Sequence, residues 1–335
     1  MNNFGRAYGI IGVGSKMSNW NADFSGYPKT LGDIIYGSDK ALKYGFRHYW
    51  NTNPNFNVMY YKTYKISEKK GEVSLTPRSL KEKYEFEFGI EDLKKTKDKT
   101  DVIKNLFKCI DVKNFGATFA ESGTNYSIPG AVQISQGINQ YDETYSSTQQ
   151  ILSPFRDSSK DTKPKENKSK NSDDTNNNSD GDSDEAKQST LGSMVVTDEA
   201  HYMYSFSVNP GAYKEWVDLN LTEGYTREDY CEFKKAALVA ATNINTCAKI
   251  GCQNEFAVFV ETVDDLYLCN LAEYVKFIKN KEDLDVIDIK ALSNLISDCG
   301  KQITSVEIYY NPYTIKLDGD IKGSKKFNIF TSKEI

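Results

Sequence analysis

Three cations recur along residues 38–50 at a spacing that places them on one side of a helix. Lys40, Lys43 and Arg47 stand at positions i, i+3 and i+7, and residues at that spacing share a helix face. Such a row is suited to a polyanion, because each cation neutralises a phosphate without reading a base. A solvated helix surface also carries rows of this kind. The spacing alone leaves both interpretations open.

The cationic row belongs to a segment that the sequence divides into a strand, a loop and a helix. An apolar run with interspersed glycines after Tyr8 predicts a buried strand. Residues 15–37 form a polar loop that is longer than a simple connector. Ser38 is a candidate N-cap for the helix that follows. The helix also has one apolar face, made by Leu42, Phe46, Tyr49 and Trp50.

The charge of the chain is distributed unevenly. The 335 residues carry a formal net charge of −5, which by itself does not suggest a nucleic-acid partner. Residues 1–65, however, contain eight lysines and arginines against three aspartates, whereas residues 198–300 contain 18 acidic against nine basic residues. This asymmetry predicts a basic working surface in the N-terminal part and an acidic remainder that favours solubility.

The remaining residue types exclude several classes of chemistry. The six cysteines form no Cys-x-x-Cys pair, which predicts reduced thiols and a cytoplasmic location. His201, Cys247 and Cys252 match no zinc-site spacing. No P-loop, dinucleotide fingerprint or Ser-His-Asp arrangement is visible, so no cofactor is predicted. Neither a signal peptide nor a membrane-length apolar run is expected.

The predicted elements follow the order strand, helix, strand, strand, helix, strand. This βαββαβ order predicts an α+β fold with an RRM-like (ferredoxin-like) antiparallel sheet, interrupted by two long insertions. Residues 58–64 and 113–119 are rich in strand formers and are predicted to be further strands. Residues 226–248 are predicted to be the longest helix. The six elements begin at Tyr8, Ser38, Tyr126, Ala200, Thr226 and Asn254.

Residues 157–190 differ from the rest of the chain. They contain one alanine and no larger aliphatic or aromatic residue, so they bury nothing that offsets their ordering entropy and are predicted to be disordered. We favour a tolerated insertion at a loop tip over an interaction tail. The apolar residues on both sides predict a hairpin that carries the tract at its tip.

Four ordered blocks carry a family resemblance. They read SKMSNWNADFSGYPKTLGDIIYGSDKALKYGFRHYW, DVKNFGATF, IPGAVQISQG and LGSMVVTDEAHYMYSFSVNP. Together they resemble the backbone subunit of Cascade-type CRISPR interference complexes (type I, subtype I-B-like) in the RAMP superfamily. The likeness covers most of the chain, but not residues 157–190.

The resemblance implies a non-catalytic subunit that polymerises along a CRISPR guide RNA and leaves target recognition to base pairing. It implies partners as well: the guide RNA, further copies of the chain, other Cascade subunits and, through the guide, target DNA. No membrane is implied. The implied parts are a palm strand, gripping loop and first helix at 1–50, a finger-like or helical insertion at 51–112, palm strands at 113–140, a thumb hairpin at 141–198, and palm completion with C-terminal elements at 199–335.

The family's RNA contacts can be matched to residues of this sequence. The lysines and the arginine would neutralise phosphates, and the asparagines would bond phosphate or 2′-hydroxyl groups. In the thumb, Phe155, Arg156 and Met194 would make apolar or stacking contacts near a displaced base. The implied palm contacts are Lys16, Asn19, Asn21, Lys29, Lys40, Lys43 and Arg47.

Two other functions remain open at this point. Related backbone subunits of other CRISPR types cut target RNA with an aspartate in the loop after the first strand, and Asp23 and Asp33 lie in the corresponding region. The alternative is therefore a metal-dependent endoribonuclease that acts through Asp23. A protein-only scaffold is the third hypothesis, and co-purification with short RNA would separate it from the first.

Overall fold

The computed structural model describes residues 5–69, 71–156 and 189–335. Within them the chain forms strands of two to twenty residues. These strands are β1 (Ala7–Ser18), β2 (Thr30–Leu31), β3 (Ile34–Gly37), β4 (Tyr64–Lys69), β5 (Glu72–Pro77), β6 (Gly116–Glu121), β7 (Thr124–Pro129), β8 (Val132–Ile134), β9 (Gly137–Asn139), β10 (Ser146–Arg156), β11 (Ser189–Val208), β12 (Cys252–Thr262), β13 (Lys276–Ile278), β14 (Asp285–Asp288), β15 (Ile303–Tyr310), β16 (Ile315–Asp318) and β17 (Lys325–Asn328).

The α-helices of the described residues are short, and the first of them is the longest, with 13 residues. In the same part of the chain, no helix is apolar over the length that a bilayer requires. The helices are α1 (Asp39–Asn51), α2 (Leu80–Phe88), α3 (Thr100–Leu106), α4 (Ile110–Phe115), α5 (Lys214–Asp218), α6 (Arg227–Ala237) and α7 (Lys290–Cys299).

The first strand is the centre of a ten-stranded sheet. β1 pairs antiparallel with β12 on one side and with β11 on the other. The strand order is β17–β15–β12–β1–β11–β9–β3–β2, and β8 and β10 also pair with β11. The side chains of β1 are buried from Ala7 to Ser15, which explains its nearly continuous run of apolar residues and glycines. The strand extends to Ser18, so Lys16 belongs to β1 and not to the predicted loop.

The two faces of the sheet bury separate apolar cores. On one face, α1 and α6 pack over Ile11, and the Phe46 and Phe233 rings stack with their centroids 5.2 Å apart. On the other face, Ile10 packs with Leu292 of α7 and with residues of the small sheet β13–β14–β16. α1 and α6 thus cover one face of the sheet, and a second layer of C-terminal elements covers the other face.

A long insertion separates α1 from β8. It contains the hairpin β4–β5, helices α2 to α4 and the hairpin β6–β7. In the first hairpin, Ile66 lies opposite Leu75, and both side chains are exposed. One face of this hairpin is therefore apolar and uncovered by the described residues.

Side-chain caps fix the starts of the main helices. The Ser38 hydroxyl accepts a hydrogen bond from the Ala41 amide at 3.2 Å, which confirms the predicted N-cap of α1. Ser79 and Thr226 begin α2 and α6 with capping boxes. Each cap satisfies backbone amides that would otherwise lack an acceptor.

The second predicted helix is wrong in length. It was expected to span residues 226–248, but α6 ends at Ala237. The Asn254 side chain accepts hydrogen bonds from the amides of Ala241 and Thr242 and donates to the Ala237 carbonyl at 2.9 Å. In a longer helix the Ala241 amide would donate to the Ala237 carbonyl. The Asn254 side chain of β12 forms hydrogen bonds with both groups in place of that bond.

Two predicted strands also differ from the structure. Residues 58–64 are not a strand before Tyr64, because the Met59 and Tyr60 amides donate to the Asp111 carboxylate and not to a neighbouring strand. Residues 113–119 begin as the end of α4. Gly116 ends that helix and is the first residue of β6. Its φ of 79° is one that glycine adopts readily.

Residues 141–198, which were predicted to be a thumb hairpin, include β10 and the first part of β11, which pair with each other; their role as a thumb stays a prediction. The described ladder of β10 and β11 runs from Ser146, opposite Thr197, to Arg156, opposite Ser189. Most of the tract predicted to be disordered, residues 157–188, lies outside the described residues. Ser189 and Thr190 already belong to β11, and Ser189 lies opposite Arg156 of β10.

Candidate nucleic-acid interface

The loop after β1 is shaped by its own side chains. The side-chain nitrogen of Asn19, which is buried, donates to the Gly26 carbonyl at 2.7 Å. The side-chain oxygen of Asn21 accepts from the Ser38 amide at 2.7 Å, which ties the loop to the start of α1. Both asparagines are therefore engaged in fixing the loop, and their contacts with RNA stay a prediction.

A half-buried lysine secures the base of the same loop. Lys249 Nζ donates to the Trp20 carbonyl at 2.5 Å and also to the Asn19 carbonyl. The amine lies 5.8 Å from the Trp20 ring centroid, and burial lowers the pKa of Lys249. Trp20 in turn donates its Nε1 hydrogen to the Tyr204 hydroxyl at 2.5 Å. The loop consequently leaves β1 in a fixed direction.

The four predicted cations of the loop and α1 differ in their freedom to bind a ligand. Lys29 is half-exposed and Lys40 is exposed, and neither forms an ion pair within the described residues. Lys43 Nζ lies 3.0 Å from Asp39 Oδ2, one turn earlier on the helix. Burial raises the pKa of Asp39, but hydrogen bonding and charge attraction from Lys43 outweigh it and leave the pKa below its usual value. Lys29 and Lys40 are thus the freer cations.

Arg47 has a structural partner. Its Nε lies 3.2 Å from an oxygen of Asp111, which is fully buried. The same carboxylate accepts hydrogen bonds from the Met59 and Tyr60 amides, each at 2.8 Å. Arg47 supplies the positive charge that this buried carboxylate requires. A phosphate contact by Arg47 would have to use its remaining donors.

Lys16 lies in a different environment from the α1 cations. Its Nζ is 2.8 Å from Glu199 and 3.9 Å from Asp285, on the sheet face that the C-terminal elements cover. Burial raises the pKa of Glu199, but hydrogen bonds from Lys16, Lys279 and His201 outweigh it and lower the pKa to about 2. The structure therefore does not place Lys16 in one row with the α1 cations.

The same cluster contains the one set of three metal-type ligands found among the described residues. Ligand atoms of Glu199, His201 and Asp285 lie within 4.8 Å of one another. Lys279 Nζ is 2.9 Å from Glu199 and 3.2 Å from Asp285, and Lys16 reaches both carboxylates. Because two ammonium groups already neutralise these oxygens, the cluster is an ion-pair network and not a prepared metal site.

The Asp23 carboxylate accepts hydrogen bonds within its own turn. One carboxylate oxygen accepts the Ser25 amide at 2.8 Å, the Ser25 hydroxyl at 2.7 Å and the Tyr27 amide at 3.2 Å. The hydrogen bond from the Ser25 hydroxyl lowers the pKa of Asp23. Asp23 does not join another carboxylate in a metal-type cluster of the described residues. Asp33 is exposed in the turn between β2 and β3.

Of the three predicted thumb contacts, Met194 is the one whose side chain the structure describes. Met194 lies in β11, and its sulfur is 3.9 Å from Cys247 Sγ. Cys252 lies elsewhere, beside the hydroxyls of Ser15 and Ser18. Phe155 and Arg156 contribute backbone to β10, but their side chains lie outside the described part of the structure. The thumb contacts therefore stay predictions.

Two aromatic side chains of the loop were not among the predicted contacts. Phe24 is fully exposed, and Tyr27 is exposed while its hydroxyl lies 2.9 Å from Thr148 Oγ1 of β10. Aromatic rings on a polar surface are typical contacts for nucleobases. The available signal was an aromatic residue between Asp23 and Ser25, where no core pattern requires one.

Comparison with solved structures finds chains of similar fold. One belongs to a structure described as "CRISPR RNA-guided surveillance complex, pre-nicking". It shares 13% identity and a TM-score of 0.50 with this protein, with 96% of each chain covered. A second structure, "CRISPR RNA-guided surveillance complex", has 12% identity and a TM-score of 0.46, covering 95% of this chain and 94% of that chain.

The family follows from the sequence match. The model of the family "CRISPR-associated protein Cas7" matches residues 5–296. The chain therefore belongs to the Cas7 family, and the CRISPR-associated family that the sequence resembles is confirmed. The search of curated proteins finds no match. Likeness to the solved structures, at 13% identity or below, concerns the fold alone.

Proposed function

We propose that this protein is a non-catalytic backbone subunit of a DNA-targeting CRISPR interference complex and polymerises along the guide RNA. The observation that carries the proposal is the Cas7 family match over residues 5–296. The proposed partners are the guide RNA, further copies of the chain, other Cascade subunits and, through the guide, target DNA. The proposed location is the cytoplasm.

The strand order supports an RRM-like palm. β12, β1, β11 and β8 lie side by side with antiparallel pairing, and α1 and α6 pack on one face. This is the arrangement expected of a βαββαβ, ferredoxin-like unit. We assign residues 1–50, 113–140 and 199–335 to the palm, 51–112 to the finger and 141–198 to the thumb.

The gripping surface is proposed to be the loop after β1 together with the start of α1. Lys29 and Lys40 are its leading phosphate contacts, because neither is held by a carboxylate among the described residues. Lys43 and Arg47 add charge nearby while they keep their partners Asp39 and Asp111. Contacts of this kind position RNA without reading its sequence, as a subunit that accepts any guide requires.

RNA binding tests the proposal directly. The full chain is titrated with labelled single-stranded RNAs of unrelated sequence at several salt concentrations. The double variant Lys29→Glu/Lys40→Glu should bind all of them more weakly, and the slope of log affinity against log salt should flatten by roughly 1 to 2. The control is Lys322→Glu/Lys325→Glu, which lies beyond the family match. Wild-type protein that binds no RNA, or a loss confined to one RNA sequence, would contradict backbone gripping.

A cleavage assay tests the non-catalytic part of the proposal. The complex assembled on a guide is incubated with complementary RNA and magnesium. We expect intact RNA, because the Asp23 carboxylate already accepts hydrogen bonds from Ser25 and Tyr27. Cleavage that Asp23→Ala abolishes would establish the endoribonuclease alternative instead.

A further inference from the structure

The tip of the loop after β1 presents an unusual side chain. Phe24 is fully exposed, although the transfer of such a side chain out of water is worth about 1.5 to 3 kcal/mol. It is flanked in the chain by Asp23 and Ser25, and no ring contact holds it among the described residues. Among the described residues, this large apolar ring therefore packs against no part of the core.

The backbone beneath Phe24 is rigid. The Asp23 amide donates to the Tyr27 carbonyl at 2.8 Å, and the Asp23 carboxylate accepts three hydrogen bonds from Ser25 and Tyr27. The Asn19 side chain holds the Gly26 carbonyl at 2.7 Å. The ring is therefore presented on a preformed turn, which reduces the ordering cost of binding a ligand.

The turn also rests against the base of the hairpin β10–β11. The Tyr27 hydroxyl lies 2.9 Å from Thr148 Oγ1 of β10, and the Asn19 side-chain nitrogen lies 3.5 Å from the Val195 carbonyl of β11. Phe24 thus belongs to a turn that contacts the hairpin through Tyr27 and Asn19 and leads on to Lys29. A strand of RNA that follows the loop towards the hairpin would pass this ring.

We propose that Phe24 stacks on a nucleobase of the bound guide RNA. The proposal rests on the proposed function, since it names a contact of the same RNA. Stacking suits a subunit that binds every guide, because each base has a π-face. A protein partner is favoured less by the neighbouring residues: Asp23 and Ser25 are polar, whereas the exposed aliphatic face of β4–β5 is the surface suited to a protein contact.

Affinity measurements on the dilute full chain provide the first test. Phe24→Ala should weaken binding of single-stranded RNA by roughly fivefold to hundredfold, the range measured for loss of one base–aromatic stack. Phe24→Tyr should stay within about twofold of wild type, whereas Phe24→Leu, which keeps apolar area but lacks a π-face, should lose most of the affinity. Phe330→Ala is the matched control, because Phe330 is an exposed phenylalanine that lies outside the gripping loop.

An abasic scan identifies the ligand group. The bases of the RNA are removed one at a time while the phosphates remain, and each RNA is titrated with wild type and Phe24→Ala. At one position the loss of the base should make the two proteins bind equally, which is the coupling expected for a direct contact.

Several outcomes would overturn the stacking proposal. Equal RNA affinity of wild type and Phe24→Ala would do so, as would an undiminished effect of Phe24→Ala at every abasic position. Unchanged RNA affinity with weaker self-association in sedimentation would assign Phe24 to a protein contact. Wild-type protein that fails to bind RNA would sink the proposed function itself, a result distinct from RNA binding that ignores Phe24.

Discussion

Arg47 holds the buried Asp111 carboxylate at 3.2 Å, while the Met59 and Tyr60 amides donate to the same group. The arginine was predicted as a phosphate contact from the family resemblance. Its structural partner shows that one side chain of the basic row is required by the fold itself. Loss of affinity in an Arg47 variant therefore needs a separate measurement of folding.

Replacement of Arg47 by glutamine should destabilise the protein by roughly 2 to 4 kcal/mol. The substitution leaves Asp111 buried without its cation, and breaking one side of a buried ion pair is costly. Urea unfolding followed by circular dichroism measures the change. Lys40→Gln, on the exposed side of the same helix, should leave the midpoint nearly unchanged. Equal unfolding midpoints for the two variants would contradict a structural role of Arg47.

His201 joins two carboxylates inside the ion-pair network. Its Nδ1 lies 2.8 Å from Glu255 and its Nε2 lies 3.1 Å from Glu199, and Lys16, Lys279 and Asp285 complete the charges around it. Burial lowers the pKa of His201, but attraction to Glu255 and hydrogen bonds to both carboxylates outweigh it, so the pKa is raised above 6.5. The imidazolium form is thus favoured by the folded state.

The contribution of His201 to stability should depend on pH. Because its folded pKa is raised, the contribution is complete below the unfolded pKa of about 6.5 and is lost as pH rises through the folded value. The difference in unfolding free energy between wild type and His201→Gln should therefore be largest between about pH 5 and pH 6.5 and should shrink at higher pH. Urea unfolding at several pH values measures it.

Lys16→Gln provides the control for this pH dependence. Lys16 belongs to the same network but carries an ammonium group in place of an imidazole, so the effect of its replacement should be nearly constant from pH 5 to pH 8. A constant difference for His201→Gln as well would show that the imidazolium is not the stabilising form.

At the scale of secondary-structure elements, α1 and the segment after α6 approach each other with almost no space between their backbones. A Cβ atom on Gly45 would lie 1.9 Å from the Ala240 carbonyl oxygen, and the Asn243 side chain donates to the Gly45 carbonyl at 3.3 Å. Glycine in the middle of a helix costs about 1 kcal/mol relative to alanine. The close approach explains why the sequence tolerates that cost.

Gly45→Ala should therefore destabilise the protein by roughly 1 to 3 kcal/mol, although alanine is the better helix former. The substitution forces α1 away from Ala240. Gly192→Ala is the control, because the nearest atom to its added Cβ would be 3.8 Å away. Thermal unfolding of both variants measures the difference. A Gly45→Ala protein as stable as wild type would mean that the two backbones are free to separate.

The elements differ in how well their limits could be predicted. α1 follows from its cap and apolar stripe, both of which are local signals, and the structure confirms it. α6 was predicted eleven residues too long, since no pattern in residues 226–248 reveals that Asn254 binds the Ala237 carbonyl and the Ala241 amide. A tertiary contact decided that boundary.

At the scale of the whole molecule, the central sheet is buried by different layers on its two faces. α1 and α6 cover one face, and the C-terminal elements with α7 cover the other. β10 and β11 form a ladder of their own from Ser146 onward, and Arg156 and Ser189, which flank residues 157–188 in the sequence, lie opposite each other in it.

Deletion of residues 160–187 should therefore leave the protein able to assemble with RNA. The removed residues are polar, and the flanking ends of β10 and β11 remain connected by a short loop. Size-exclusion chromatography with light scattering compares the wild-type and shortened complexes. Equal mass per RNA and an equal unfolding midpoint are expected. A shortened chain that folds but no longer assembles would make the tract functional.

The sequence by itself determined the properties that neighbouring residues encode. The strand, loop and helix after Tyr8, the caps at Ser38 and Thr226 and the family blocks all depend on residue order and periodicity. The tertiary structure decided which charges are free. Arg47 finds Asp111 64 residues away, and Lys16 finds Glu199 across the β1–β11 pair. Because ion pairs form between residues that only the folded chain brings together, spacing could predict a row of cations but not its partners.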